Sequence, residues 1–135
     1  MTVTRSPQSY IDTIKSTLNS SPIIQEWTIV DQKSFSDRGH FRVRFLLSTG
    51  DFVEASEFFV LRDTGIEQHR YRYQWMDSTK TQLKRRWDNA PHFPEVPTFP
   101  HHVHIGQEDR VFPSIRMGII ELISTLEQLI LTNCR

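Results

Sequence analysis

The sequence predicts an α+β fold, one antiparallel sheet covered by helices, from three observations. Between Ile23 and Asp88, apolar and polar residues alternate with a period of two, the period of half-buried strands. Ile115, Ile119, Leu122, Leu126 and Leu129 then recur at spacings of four, three, four and three, widened by Ile120, Ile123 and Ile130, which makes one buried helix face. Between these regions, Pro91, Pro94, Pro97 and Pro100 and four of the six histidines break both patterns. A chain of 135 residues suits a single domain, spanning 1–135, that buries roughly two thirds of its unfolded surface without disulfides or metal.

Ser6-Pro7 has the form of an N-cap followed by a first-turn proline. With Tyr10, Ile11, Ile14 and Leu18 at helical spacing, it predicts a helix from Pro7 to Asn19, stopped by Pro22. Five strands follow as a meander. The first runs from Ile23 to Phe35 and carries Trp27, Ile29 and Val30, with Asp37-Arg38-Gly39 as its turn. In the second, Phe41, Val43, Phe45 and Leu47 alternate with His40, Arg42 and Arg44, so one face is core and the other basic. Ser48-Thr49-Gly50-Asp51 is a hairpin turn. The third strand, Phe52 to Leu61, slips in alternation near Ser56-Glu57, as a bulge would make it.

After Arg62-Asp63-Thr64-Gly65, the fourth strand sets His69, Tyr71, Tyr73 and Trp75 against Gln68, Arg70, Arg72 and Gln74. A turn at Asp77-Ser78-Thr79-Lys80 leads to a fifth strand from Leu83 to Asp88. The prolines every third residue then predict a stiff polyproline II connector, within a long Pro/His-rich loop. The C-terminal stripe predicts a helix from Ser114 to Thr132, packed on the sheet.

Sixteen basic residues balance sixteen acidic ones, so overall charge gives no argument for nucleic acid. Between Ile66 and His92, however, six basic residues stand against three acidic. Arg70, Arg72 and Arg86 are therefore candidate phosphate ligands for RNA, and Tyr71, Tyr73 and Trp87 candidate stacking surfaces if exposed. The ordinary alternative is a wet sheet face opposite an aromatic core. The single cysteine, Cys134, has no internal partner, which fits a reducing, cytoplasmic setting. No basic start with an apolar run and no spanning stretch is found, so a soluble, untargeted protein is expected.

His101, His102 and His104 have three candidate uses. Along an extended segment His102 and His104 share a face and His101 points away. The pair would serve as general base and general acid across a scissile phosphate, with His92 or His101 assisting. Alternatively they would ligate a metal such as zinc, which needs His92, Asp88 or His69 to complete the set. The third use is structural, with imidazoles satisfying loop carbonyls. Asp88 and Asn89 either orient a histidine or simply end the fifth strand. These residues select no particular cofactor.

Tyr71-Arg72-Tyr73, Trp87-Asp88-Asn89-Ala90-Pro91-His92 and Pro100-His101-His102-Val103-His104-Ile105-Gly106 together resemble the signature of the TumE-like toxins, small bacterial and archaeal proteins commonly encoded beside an antitoxin. Trp87 departs from the tyrosine expected there. The resemblance implies a toxin restrained by a cognate antitoxin and points to Tyr71, Tyr73, Asp88, Asn89, His92, His101, His102 and His104, without implying a reaction. The expected function is thus a toxin acting on RNA as a ribonuclease with histidine acid/base chemistry. Its rivals are a metal-dependent nuclease and a non-catalytic module that holds a partner protein by its sheet edge and Pro/His loop.

Overall fold

A computed structural model describes residues 6–132; Cys134 lies outside the described residues. The elements are α1 (Pro7–Ser20), β1 (Ile24–Ser34), β2 (Arg38–Leu47), β3 (Phe52–Arg62), β4 (Gly65–Met76), β5 (Leu83–Asp88), β6 (His102–Ile105), β7 (Val111–Pro113) and α2 (Ile119–Thr132). Ser6 caps α1 in a capping box with Ser9, and Pro7 occupies the first turn, where its missing N–H costs nothing.

The strands form one antiparallel meander in the order β1 to β7, so the α+β class holds but the sheet has seven strands, not five. The expected loop supplies the two extra strands: β6 pairs with β5, and β7 with β6. β6 escapes a pattern reading because it is four residues long and its polar positions, His102 and His104, are buried.

The proline segment is likewise not an extended connector. Val96 N donates to Phe93 O, Phe99 N to Val96 O and His101 N to Thr98 O, which makes a run of tight turns. Pro94 and Pro97 each fall second in such a turn, the position their fixed φ suits. The period of three thus reflects successive turns, not a polyproline helix.

α2 starts at Ile119, five residues later than expected. The N–H of Ser114 is taken by Thr98 Oγ1 at 3.0 Å, and Ile115 is 74% exposed. The helix begins where its end groups find acceptors: Gly118 N donates to Glu121 Oε1 and Ile119 N to Glu57 Oε1, both at 2.8 Å. Glu121 thereby acts as half of a capping box.

One sheet face is sealed beneath α1 and α2. Phe41, Val43, Phe45, Val53, Ala55, Phe59, Tyr73 and Trp87 pack there with Ile11, Ile14, Ile119, Leu122 and Leu126, and each large side chain so buried contributes about 1.5–3 kcal/mol. Glu57 is the polar exception, with no exposed surface. Its carboxylate accepts from Tyr10 OH at 2.5 Å, Tyr73 OH at 2.8 Å and the α2 N-terminus. Burial nevertheless pushes its pKa up to about 7, against the lowering effect of those donors. The other face carries the polar half of each strand. No helix among the described residues is long and apolar enough to cross a membrane.

Candidate functional site

Strand register decides which side chains meet on the uncovered face. Arg42, Ser56, Arg72, Asp88 and His102 are successive cross-strand partners from β2 to β6. Arg44, Glu54, Gln74, Arg86 and His104 form the next row. Adjacent members of a row stand on strands about 4.8 Å apart. Asp88 and Arg86 therefore face His102 and His104 directly.

Asp88 is the centre of this group. Its Oδ1 lies 3.0 Å from His102 Nε2, and its Oδ2 lies 3.5 Å from His104 Nε2 and 3.3 Å from Arg86 Nε. Oδ1 also accepts from Ala90 N at 3.0 Å, so the turn after β5 fixes the carboxylate. The far nitrogens of both rings meet backbone carbonyls: His102 Nδ1 lies 2.9 Å from Pro100 O, and His104 Nδ1 2.7 Å from Glu108 O. A carbonyl only accepts, so each Nδ1 carries the proton and each Nε2 of a neutral ring presents a lone pair to Asp88. The rings stand 4.9 Å apart, and Phe93 from the proline segment lies edge-on to both, at 4.9 and 5.6 Å.

The cluster is buried beside a cavity of about 1100 Å³ lined by His40, Ser56, Phe58, His69, Arg70, Arg72, Arg86, His92 and Phe93, among others. Arg70 and Arg72 are exposed there, and Arg72 donates only to Gln74 Oε1 among the described residues. Arg86 differs: its side chain is 11% exposed and is held by Glu108, with Nη1 to Oε1 at 2.6 Å. That bond keeps the guanidinium protonated and holds the Glu108 carboxyl below its usual range. The Arg86 guanidinium is thus engaged by Asp88, Glu108 and His104 through Nε, Nη1 and Nη2.

Other expected residues separate from the cluster. Tyr71, Tyr73 and Trp87 are at most 4% exposed and lie in the core, so they offer no stacking surface. The departure at Trp87 accordingly falls on a packing position. His101 sits on the core side, stacked on Tyr71 and sharing a 2.9 Å hydrogen bond with its hydroxyl. Burial, then Arg116, lowers its pKa, and it does not reach the pair. Asn89 orients no histidine. Its side chain accepts from Tyr71 N and donates to His69 O, both at 3.0 Å, continuing the sheet where β5 ends. His92 is exposed at the cavity rim, stacked edge-on with Phe93.

Several site residues carry no local signal. The register shift between Phe58 and Phe59 leaves His69 as the extra residue opposite, and this bulge turns it from the tyrosine face towards the cavity, where it meets Phe58 at 5.6 Å. β3 itself alternates without a slip through Phe59, so the bulge expected on it near Ser56-Glu57 is found instead on β4. His40 bridges Asp31 Oδ2 at 2.7 Å and Ser56 Oγ at 3.2 Å, a chain that depends on the β1–β2–β3 register. The hydrogen bond from His40 lowers the Asp31 pKa. Phe93 enters through folding of the proline segment, and Glu108 through the turn between β6 and β7.

A family model described as Toxin TumE matches residues 14–130. No curated protein matches the chain, and no solved structure does.

Proposed function

The chain belongs to the TumE toxin family, and we propose that it is the toxin of a toxin–antitoxin pair that cleaves RNA on the uncovered face of its sheet. The observation that carries this reading is the convergence of two imidazole Nε2 atoms on one carboxylate beside a cavity edged by Arg70 and Arg72. A phosphodiester in that cavity would set its non-bridging oxygens against the two arginines. The proton of the attacking hydroxyl would be taken up at the Asp88–His102–His104 cluster as the new P–O bond forms, and the oxygen of the P–O bond that breaks would leave with a proton returned from that cluster or from water. Arg72, next to Asp88 in register, is placed to offset the charge that grows on phosphorus.

The test is induced expression of the wild type beside a His102→Ala, His104→Ala double variant, reading growth and total RNA together, followed by RNA digestion with purified protein. Growth arrest with RNA fragmentation is expected only from the wild type. Equal RNA cleavage by both proteins would overturn the reading.

A second reading, a binding module without a reaction, has one observation in its favour. β1 pairs only with β2 and so presents an 11-residue outer edge, flanked by Phe35 at 59% exposure, to which a partner strand could add. Growth arrest that survives loss of both histidines would favour it. The cognate antitoxin is the partner expected for either reading.

A further inference from the structure

We infer that Asp88, His102 and His104 form a binding site for one divalent transition-metal ion such as Zn²⁺ or Mn²⁺. Its part in catalysis rests on the RNA-cleavage reading, but the binding itself does not.

The argument starts from the ring nitrogens. Both Nδ1 atoms donate to main-chain carbonyls, of Pro100 and Glu108. This is the support that metal-bound histidines usually receive, since it fixes the tautomer and turns Nε2 towards the ion. The acceptors are backbone atoms of the turns that flank β6, so the fold itself sets both rings.

With His102 neutral and no cation present, its Nε2 and Asp88 Oδ1 are two lone-pair groups held 3.0 Å apart in a buried site. Ala90 N already donates to Oδ1, which marks that oxygen as an acceptor. A proton on Nε2 would relieve this one contact, and Arg86 Nη2, 3.3 Å from His104 Nε2, is the donor that faces the second lone pair. A divalent ion meets both rings and the carboxylate at once.

Distances agree. One donor atom from each of the three residues lies within 4.8 Å of the other two, and the carboxylate approaches His102 Nε2 at 3.0 Å through Oδ1 and His104 Nε2 at 3.5 Å through Oδ2. Ligands about 2.1 Å from an ion stand about 3.0 Å apart at right angles and about 3.4 Å apart in a tetrahedron. Both carboxylate–imidazole separations fall close to these values, and the two rings would close on the ion to within about 4.2 Å of each other. Mixed imidazole and carboxylate donors suit zinc, manganese or iron and disfavour a soft, thiolate-seeking ion. Three protein ligands leave at least one position for water or a phosphate oxygen.

Arg86 Nη2 lies 3.3 Å from His104 Nε2 and is the local competitor. Its bonds to Glu108 give it an anchor when the ion takes that lone pair, and they let it stay beside Asp88 Oδ2. An ion at the cluster would hold a hydroxide near neutral pH or polarise a phosphoryl oxygen. His102 and His104 would then serve as ligands and would not carry the proton themselves.

The experiment uses untagged full-length protein, stripped with EDTA and dialysed, then titrated with ZnCl₂ or MnCl₂ by calorimetry. Co²⁺ absorption provides a second readout. One ion per chain is expected at micromolar affinity or tighter, weakened at least about 100-fold in His102→Ala and in Asp88→Ala, with folding of each variant checked by circular dichroism. Absence of saturable one-to-one binding by the wild type, or equal binding by a folded variant, overturns the site. RNA cleavage that persists in EDTA by a protein that binds no ion would overturn the metal and keep the nuclease. One-to-one binding without RNA cleavage would do the reverse.

Discussion

Asp88 Oδ1 stands 3.0 Å from His102 Nε2 while the opposite nitrogen of that ring faces the Pro100 carbonyl at 2.9 Å. A neutral His102 ring therefore turns a lone pair to the carboxylate, and a cation between them or beside them makes use of its negative charge. Asp88→Asn keeps the shape and removes the charge. The side-chain oxygen can still accept from Ala90 N, which forces the amide nitrogen to replace Oδ2 and face Arg86 Nε. We expect a loss of about 1–3 kcal/mol in urea denaturation, the cost of a spoiled buried charged hydrogen bond, and loss of RNA cleavage. Full activity in a folded Asp88→Asn protein would remove the carboxylate from the chemistry.

Asn89 separates stability from chemistry. Its amide closes the β4 backbone by bonding Tyr71 N and His69 O. Asn89→Asp retains the acceptor for Tyr71 N but sets a carboxylate against the His69 carbonyl. Asn89→Ala leaves both groups unpaired. Each change should lower stability by about 1–3 kcal/mol, while one-to-one metal titration of the folded fraction stays intact. A variant as stable as the wild type would show that water replaces the amide without cost.

What the sequence reveals here is periodicity, and what it hides is register. The β2 alternation of Phe41, Val43, Phe45 and Leu47 assigns its buried face directly. The parity of His102 and His104, with His101 opposed, is also readable, and the structure has both members of the pair facing Asp88. The partner strand of β6 cannot be read locally, because it depends on how the turns at Pro94 and Pro97 fold back, and Glu108 reaches Arg86 only once β6 pairs with β5. Aromatic residues misled for a physical reason. Tyr71 and Tyr73 have hydroxyls that suit a binding surface, yet their partners are His101 and the buried Glu57. Glu57 itself looks like a solvent-facing strand residue, and the donors that accompany its burial come from Tyr10, Tyr73 and the α2 N-terminus.

That buried carboxylate gives a pH prediction. The folded-state pKa of Glu57 is raised to about 7 from 4.5. The folded protein therefore holds this proton more tightly than the unfolded chain, so stability falls as pH rises from about 4.5 through about 7 and then levels off. The lowered pKa of His101 acts in the opposite sense, because folding there disfavours the charged ring below its ordinary value of 6.5. Comparing wild type with Glu57→Gln isolates the first effect. The difference in Tm, wild type minus variant, should decrease between pH 5 and pH 8. A difference that is constant over this range would mean that Glu57 is charged throughout.

The two exposed arginines offer the sharpest test of the ligand. If a polynucleotide lies across the uncovered face, Arg70 and Arg72 each release about one counterion on binding. Arg70→Ala and Arg72→Ala should then weaken RNA binding at low salt and reduce the slope of log K against log salt by about 0.7 each for a single strand. Among the described residues Asp88 pairs with Arg86, His102 and His104 and with neither of these arginines, so one-to-one metal binding should be unaffected. The two variants differ in chemistry: Arg72 is the register neighbour of Asp88, whereas Arg70 pairs with Phe58 nearer the rim. Arg72→Ala should therefore reduce the cleavage rate at saturating RNA, and Arg70→Ala only the affinity. Fluorescence anisotropy at several salt concentrations and single-turnover cleavage measure the two quantities separately. Salt slopes unchanged in both variants would place the RNA elsewhere on the protein.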